Sequence, residues 1–323
     1  MSDSKIAFIY PGQGSQSVGM GKFLFENFPE AKQLFEEASD TISVNLKKLC
    51  FDGPESELMK TENTQPAIVT VSIATTLVLK NEFGITPAAT AGHSVGEYAA
   101  AYAAGCMSAS DAVRAVKFRG RFMQESVPEG MGAMAAFMGP EPKDVVDICK
   151  WVTETSNQGI LEAANFNAPG QIVISGHASA LAWLEKNLES YKWPSEDLKP
   201  KRMRLIALKV SAPFHCSLMN SAQEKMAELL NATPLQDPKI NFIQNVSASV
   251  TKSSDDVTDL LIKQISSPVR WIECTEKLKE LGVTELIEVG SGQVLKGLTK
   301  KIWPEFNNFK STNSLEDLKL FKH

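Results

Sequence analysis

The sequence predicts an α/β fold with a mainly parallel sheet, interrupted by a small inserted unit. Three observations carry that prediction. Strand-like and helical runs alternate along most of the 323 residues. Gly92-His93-Ser94-Val95-Gly96 reads as a sharp strand-to-helix turn that exposes a serine hydroxyl over a sheet edge. From about residue 131 to 202 the elements shorten and take the order β-α-β-β-α-β, the ferredoxin-like signature.

In chain order, residues 6–10 (IAFIY) form a buried first strand, stopped by Pro11-Gly12. Residues 65–83 form a long helix, with Pro66 near its first turn and Gly84 just past its end. Residues 88–91 are a short apolar run that ends a buried strand, and the alanine-rich run 97–106 favours a helix after the serine turn. Ser110-Asp111 opens a helix reaching about Glu125. In the insert, strands are expected at 132–138, 161–165, 171–175 and 204–210, with helices at 142–152 and 178–191. The larger pattern then resumes, with a strand at 240–246, helices near 255–264 and 268–281, a strand at 285–289 and a helix near 294–302. Residues 1–130 and 203–323 are thus expected to form one large unit around the insert, 131–202.

Composition narrows the function. A net charge of −5 argues against a general nucleic-acid binder, and no apolar stretch reaches the length of a membrane span. The start, MSDSKIAFIYPGQG, has no basic n-region and no long apolar run, so it is no secretory signal. Five cysteines without a CxxC pair read as reduced thiols in a cytoplasmic protein, with no metal-ligand spacing.

A serine in such a turn carries a covalent acyl group once a base takes its proton, so the sequence predicts an acyl-transfer enzyme. Histidine is the usual base, and there are four. His93 adjoins Ser94, where neighbouring side chains diverge; His323 is terminal; His177 sits at a helix start inside the insert. His215 remains, at the end of the strand 204–210, where α/β sites gather. No carboxylate stands out as a third member, and a backbone carbonyl could orient the imidazole equally well. Val95 N–H offers one oxyanion donor, and the loop Pro11-Gly12-Gln13-Gly14-Ser15-Gln16 can supply a second. That loop fits neither GxGxxG nor GxxxxGK[ST], which argues against a nucleotide site. Ala112, Val116, Arg119 and Met123 share one helix face, so Arg119 looks inward. It is either a structural ion pair or a bidentate clamp for a substrate carboxylate. Lys199, Lys201, Arg202 and Arg204 read as a solvated face, with docking of an acidic partner as the weaker alternative.

Together these motifs resemble the malonyl-CoA:acyl carrier protein transacylase family, which serves fatty-acid synthesis and, as domains, polyketide synthases. The resemblance rests on PGQGSQ (11–16), TQPA (64–67), GHSVGEY (92–98), RGRFMQ (119–124), GAMAA (132–136), NFNAPGQ (165–171), SAPFHC (211–216) and EVGSGQVLKGLTK (288–300). It implies an α/β-hydrolase-like large subdomain with a ferredoxin-like small one. By resemblance Ser94 is the nucleophile, His215 the base, Gln13 and Val95 the oxyanion donors through their amides, and Arg119 the malonyl carboxylate's partner. Gln264 matches the position whose main-chain carbonyl orients the histidine, and Phe214 the malonyl-selecting form. Malonyl-CoA and acyl carrier protein are the implied partners, without metal or redox cofactor, and the family tendency is monomeric. Ser291 stands where the family often has proline, which bears only on a turn. A hydrolase using the same serine, and a non-catalytic scaffold, are the rivals; hydrolysis measured against transfer, and a malonyl adduct on Ser94, separate them.

Overall fold

The computed structural model describes residues 5–195 and 199–322. Its strands are β1 (Ile6–Tyr10), β2 (Ala89–Gly92), β3 (Gly132–Met138), β4 (Leu161–Ala168), β5 (Gln171–His177), β6 (Arg204–Ala207), β7 (Asn241–Ile243), β8 (Val250–Thr251), β9 (Glu285–Glu288) and β10 (Phe309–Ser311).

Six of them make one sheet in the order β10-β9-β1-β2-β7-β8. All its pairings are parallel except β7 with β8. The apolar run IAFIY suits the centre of such a sheet, which is covered on both faces. Alternation along β1 divides the core. Phe8 and Tyr10 join the cluster formed with helices Thr61–Phe83, Gly96–Ala103 and Ala109–Glu125. Ala7 and Ile9 face the opposite cluster, with Trp271, Leu278 and Leu295. Helix Thr61–Phe83 is apolar or small nearly all round and is buried on most sides, as a central helix must be.

The other four strands form an antiparallel sheet, β4-β5-β3-β6. The strand that begins the insert lies inside and pairs with the one that ends it, the ferredoxin-like arrangement. Helices Pro142–Thr155 and Ala178–Asn187 cover one face, their Ile148 and Leu184 sharing a core with Phe137 and Ile174 of the sheet. Met134, Ala164 and Val173 instead join the large core beside Phe214. Phe166 N–H donates to Val269 O, and Val269 N–H to Ala164 O, both at 2.9 Å. The insert is therefore stitched to the larger sheet's surroundings and does not hang free.

Several boundaries differ from expectation. The long helix starts at Thr61, so Pro66 lies inside it rather than in its first turn. Polar Thr61-Glu62-Asn63-Thr64 concealed that start, yet Thr64 Oγ1 is satisfied by donating to Leu58 O. The expected strand 240–246 stops at Ile243, because Gln244 and Asn245 turn away to bond with buried groups. The expected strand 204–210 holds ladder pairing only as Arg204–Ala207. Since β6 pairs with β3, a division at residue 202 runs between a strand and its own sheet. Helices Pro29–Ile42 and Asn220–Asn231 and the edge strand β10 lie outside the elements that the sequence predicts.

Candidate active site

β2 ends at Gly92, and helix Gly96–Ala103 starts four residues later. Between them Ser94 adopts φ 51°, a left-handed conformation that costs a non-glycine residue about 1–3 kcal/mol unless its surroundings enforce it. Here they do. Ser94 N–H donates to Asn245 Oδ1 at 2.8 Å, and Ser94 O accepts from Gln264 Nε2 at 3.0 Å. Asn245 Nδ2 donates to Gly92 O at 2.7 Å, so one amide clasps both sides of the turn. The flanking glycines are steric necessities. A Cβ on Gly92 would lie 2.1 Å from Gly96 C, and one on Gly96 would lie 2.3 Å from Tyr10 O.

His215 meets Ser94 from 121 positions away in sequence, with Nε2 2.7 Å from Ser94 Oγ. Its Nδ1 is 2.9 Å from the Gln264 main-chain carbonyl. A carbonyl only accepts, so Nδ1 carries the proton and Nε2 presents its lone pair to the hydroxyl. Burial, then the nearby Arg119 cation, holds His215 neutral, with its pKa down to about 3.

Arg119 completes the cluster. Its helix buries Ala112, Val116 and Met123 on the same face, as the spacing predicted. Gly120 lets that helix press on the start of the long one, where an added Cβ would sit 2.7 Å from Thr61 O. Arg119 Nη1 donates to Gln65 Oε1 at 2.9 Å, and Nη2 to Gln264 Oε1 at 2.9 Å and to Ser94 Oγ at 3.2 Å. Its Nε, also buried, has no partner. All its acceptors are neutral, so the structural ion-pair alternative has no carboxylate in contact. A buried cation whose direct hydrogen-bond acceptors are all neutral is suited to pairing with an anion. Arg114 and Arg121, by contrast, pair at the surface with Asp111 and Glu125.

The loop after β1 approaches the turn from the other side, with His93 N–H donating to Tyr10 O at 2.9 Å. The Gln13 and Val95 amides have no acceptor among the described residues. Gln13, Ser94, Met134, Asn165, Phe214 and His215 line a cleft of about 360 Å³ between the two sheets. Lys209 and Leu208 stand at its rim, beyond the end of β6. His93 and His177 make their side-chain bonds outside the Ser94–His215–Arg119 cluster, although His93 also lines the cleft. His93 Nε2 bonds Asn167 Oδ1 at 2.7 Å, and His177 Nδ1 accepts from Ile160 N–H at 3.0 Å. His323 lies outside the described residues. Lys199 pairs with Glu189 at 3.3 Å, and Arg204 is exposed on β6. All five cysteines are free and buried.

Three members of the site had escaped sequence reasoning: Gln65, Asn245 and Glu97. Gln65 sits in the TQPA motif, whose chemistry was not assigned. Asn245 had no local signal, because it acts through a strand that stops early. Glu97 is fully buried directly behind the turn, and only its place after Gly96 marked it.

The acyl transferase domain signature matches residues 7–315 of this chain. Malonyl CoA-acyl carrier protein transacylase from Bacillus subtilis (strain 168) is 48% identical over 93% of this chain and 90% of its own length. The protein of the same name from Escherichia coli (strain K12) is 40% identical over 93% of each chain. The acyl-carrier-protein S-malonyltransferase of Burkholderia pseudomallei 1710b superposes with a TM-score of 0.90 at 38% identity, covering 98% of both chains. A malonyl-transacylase solved in complex with its type II PKS acyl-carrier protein gives 0.90 at 37% identity, covering 98% of this chain and 99% of that one.

Proposed function

This chain belongs to the acyl transferase domain family, and from that premise we propose that it transfers malonyl from malonyl-CoA to the phosphopantetheine thiol of acyl carrier protein. One observation carries the reading: a serine oxygen 2.7 Å from a neutral imidazole nitrogen and 3.2 Å from a buried guanidinium. The first contact activates a nucleophile; the second selects an acyl group that ends in a carboxylate.

Ser94 Oγ attacks the thioester carbonyl as its proton passes to His215 Nε2. The oxyanion accepts hydrogen bonds from the Gln13 and Val95 amides, a type of contact whose removal costs about 10²–10³ in kcat. The tetrahedral adduct collapses, the C–S bond breaks, and the CoA sulfur leaves with the proton from His215. The carrier thiol then gives its proton to His215 and attacks the malonyl-serine ester; the acyl C–O bond breaks, His215 returns the proton to Ser94 Oγ, and malonyl leaves on the carrier sulfur. Burial first and Arg119 second depress the basicity of His215 in the free protein. A malonyl carboxylate paired with Arg119 offsets that repulsion, so the right acyl group strengthens the base that acylation needs. Phe214 at the cleft wall limits substituents on the malonyl carbon. Serine, imidazole and amides suffice for every step, so no metal or redox cofactor is required. In this reading the catalytic unit is residues 1–130 and 203–323 except for strand β6, Arg204–Ala207, which belongs to the ferredoxin-like sheet. No helix among the described residues is long and apolar enough to cross a membrane, and a cytoplasmic monomer fits the reading.

Incubation with malonyl-CoA should add one malonyl group at Ser94 by mass spectrometry. Arg119→Ala should lower kcat/KM for malonyl-CoA about 100-fold relative to acetyl-CoA, the scale of losing a buried charged hydrogen bond. Equal losses on the two substrates would remove the carboxylate seat. Hydrolysis outrunning transfer to holo carrier protein would favour the hydrolase.

A further inference from the structure

Glu97 is a carboxylate with no exposed surface, and none of the steps above uses it. Its Oε2 accepts from Asn245 N–H at 2.7 Å and its Oε1 from Gln244 Nε2 at 3.2 Å. Neither donor is a cation. The positive charge that acts on it is Arg119. Between these two charges the Gln264 amide is oriented as a dipole should be. Its oxygen accepts from Arg119, while its NH₂ donates to Ser94 O and reaches Asn245 Oδ1 at 3.4 Å, on the Glu97 side.

We propose that Glu97 is a specificity-determining positioning residue whose carboxylate, set across the Gln264 amide from Arg119, governs how strongly the Arg119 seat takes an acyl group ending in a carboxylate. With Glu97 ionised, the free site is a balanced pair, and a malonyl carboxylate brings a second buried negative charge. With Glu97 neutral, Arg119 is an uncompensated buried cation, and the same carboxylate completes the pair. Burying an unpaired charge is the costlier state, so neutral Glu97 favours malonyl. Acetyl has no charge to place and does not sense the difference. This inference rests on the malonyl reading above.

Burial pushes the Glu97 carboxyl up to about 7, against the bonds from Asn245 and Gln244, so its charge changes within an accessible range. The other groups around it hold their state there. Arg119 stays cationic. Burial drives Tyr98, on the same helix, and Cys274, on helix Trp271–Glu280, far upward. His215 stays neutral, down at about 3.

The test compares kcat/KM for malonyl-CoA and acetyl-CoA, with holo carrier protein as acceptor, in the wild type and in Glu97→Gln. At pH 8.5 the malonyl-to-acetyl ratio should rise about threefold or more in the variant, the scale of coupling between neighbours in one network. In the wild type that ratio should climb by a similar factor between pH 8.5 and pH 6, while the variant's ratio stays flat. The wild-type pH series needs no folded variant. A purely structural Glu97 would lower both substrates together and leave the ratio unmoved in both experiments, which overturns the inference while malonyl transfer stands. A wild type that forms no malonyl-Ser94 overturns the functional reading and this inference with it.

Discussion

Two strand-to-helix crossings flank β1 in the parallel sheet. One runs from β2 into helix Gly96–Ala103, the other from β9 into helix Val294–Ile302. Both turn between two glycines, Gly92 and Gly96 in the first and Gly290 and Gly292 in the second, and both bury a glutamate that burial pushes up to about 7. They differ in what becomes of the backbone N–H groups. At the β9 crossing, Glu288 accepts from Leu295 and Lys296 at 2.9 Å each, Asn313 from Gly292 at 2.6 Å and Thr312 from Gly290 at 3.1 Å. The positive φ values there fall on Gly290 and Gly292, where they are cheap. At the β2 crossing the positive φ falls on a serine, and the glutamate turns its carboxylate away from its own helix end towards Asn245 and Gln244. The Val95 amide is left for a guest. The same sheet edge thus yields a stable crossing when its donors are consumed internally and a reactive one when they are held open.

That contrast can be broken from either side. The largest effect belongs to Ser94→Ala, which should cost transfer about 10⁴-fold or more and abolish the adduct, with stability nearly unchanged. Measured kcat and an unfolding midpoint check both halves; a variant that transfers normally would end the elbow's claim. Next is Gly96→Ala, whose methyl has no room beside Tyr10 O. About 3 kcal/mol should be lost in urea unfolding, with a fall in kcat, because the turn cannot close without moving Ser94 and the Val95 amide. Glu288→Ala should show the opposite signature: about 2 kcal/mol lost by stripping the helix amides of their acceptor, with kcat per folded molecule held within about twofold. A large kcat loss there would erase the distinction between the two crossings.

The smallest effect is a slope. The folded pKa of Glu288 lies above its unfolded value, so its contribution is complete below about 4.5 and is lost as pH rises through about 7. Glu288→Gln should flatten this decline, removing at most on the order of 1 kcal/mol per pH unit from the stability curve in that window. His215 acts with the opposite sign. Its folded pKa is depressed, so its contribution is present above about 6.5 and fades as pH falls towards 3. Chemical denaturation at several pH values separates the two, and a slope identical in wild type and variant would reject the Glu288 assignment.

Much of this was legible along the chain. The run IAFIY, the GHSVGEY turn and the apolar face around Arg119 are local patterns, and each was formed where its residues indicated. Elimination singled out His215 because histidines are few, and its Nε2 lies 2.7 Å from Ser94 Oγ. Patterning failed where polar residues are satisfied at long range. Thr61–Thr64 resembles a loop but opens a helix, and Gln244-Asn245 resembles the end of a strand but leaves it for the turn.

Sequence by itself determined the class of fold, the tight serine turn and an arginine facing inward, because these follow from periodicity and from the space glycine leaves. Tertiary structure alone decided that the arginine meets no carboxylate, that Gln264 serves His215 with its backbone and Arg119 with its side chain, and that Asn245 clasps the turn. Hydrogen-bond partners 121 to 170 positions apart leave no periodic trace. They exist only because the fold brings the turn after β2, the chain beyond β6 of the antiparallel sheet and the end of helix Ser254–Lys263 to one place.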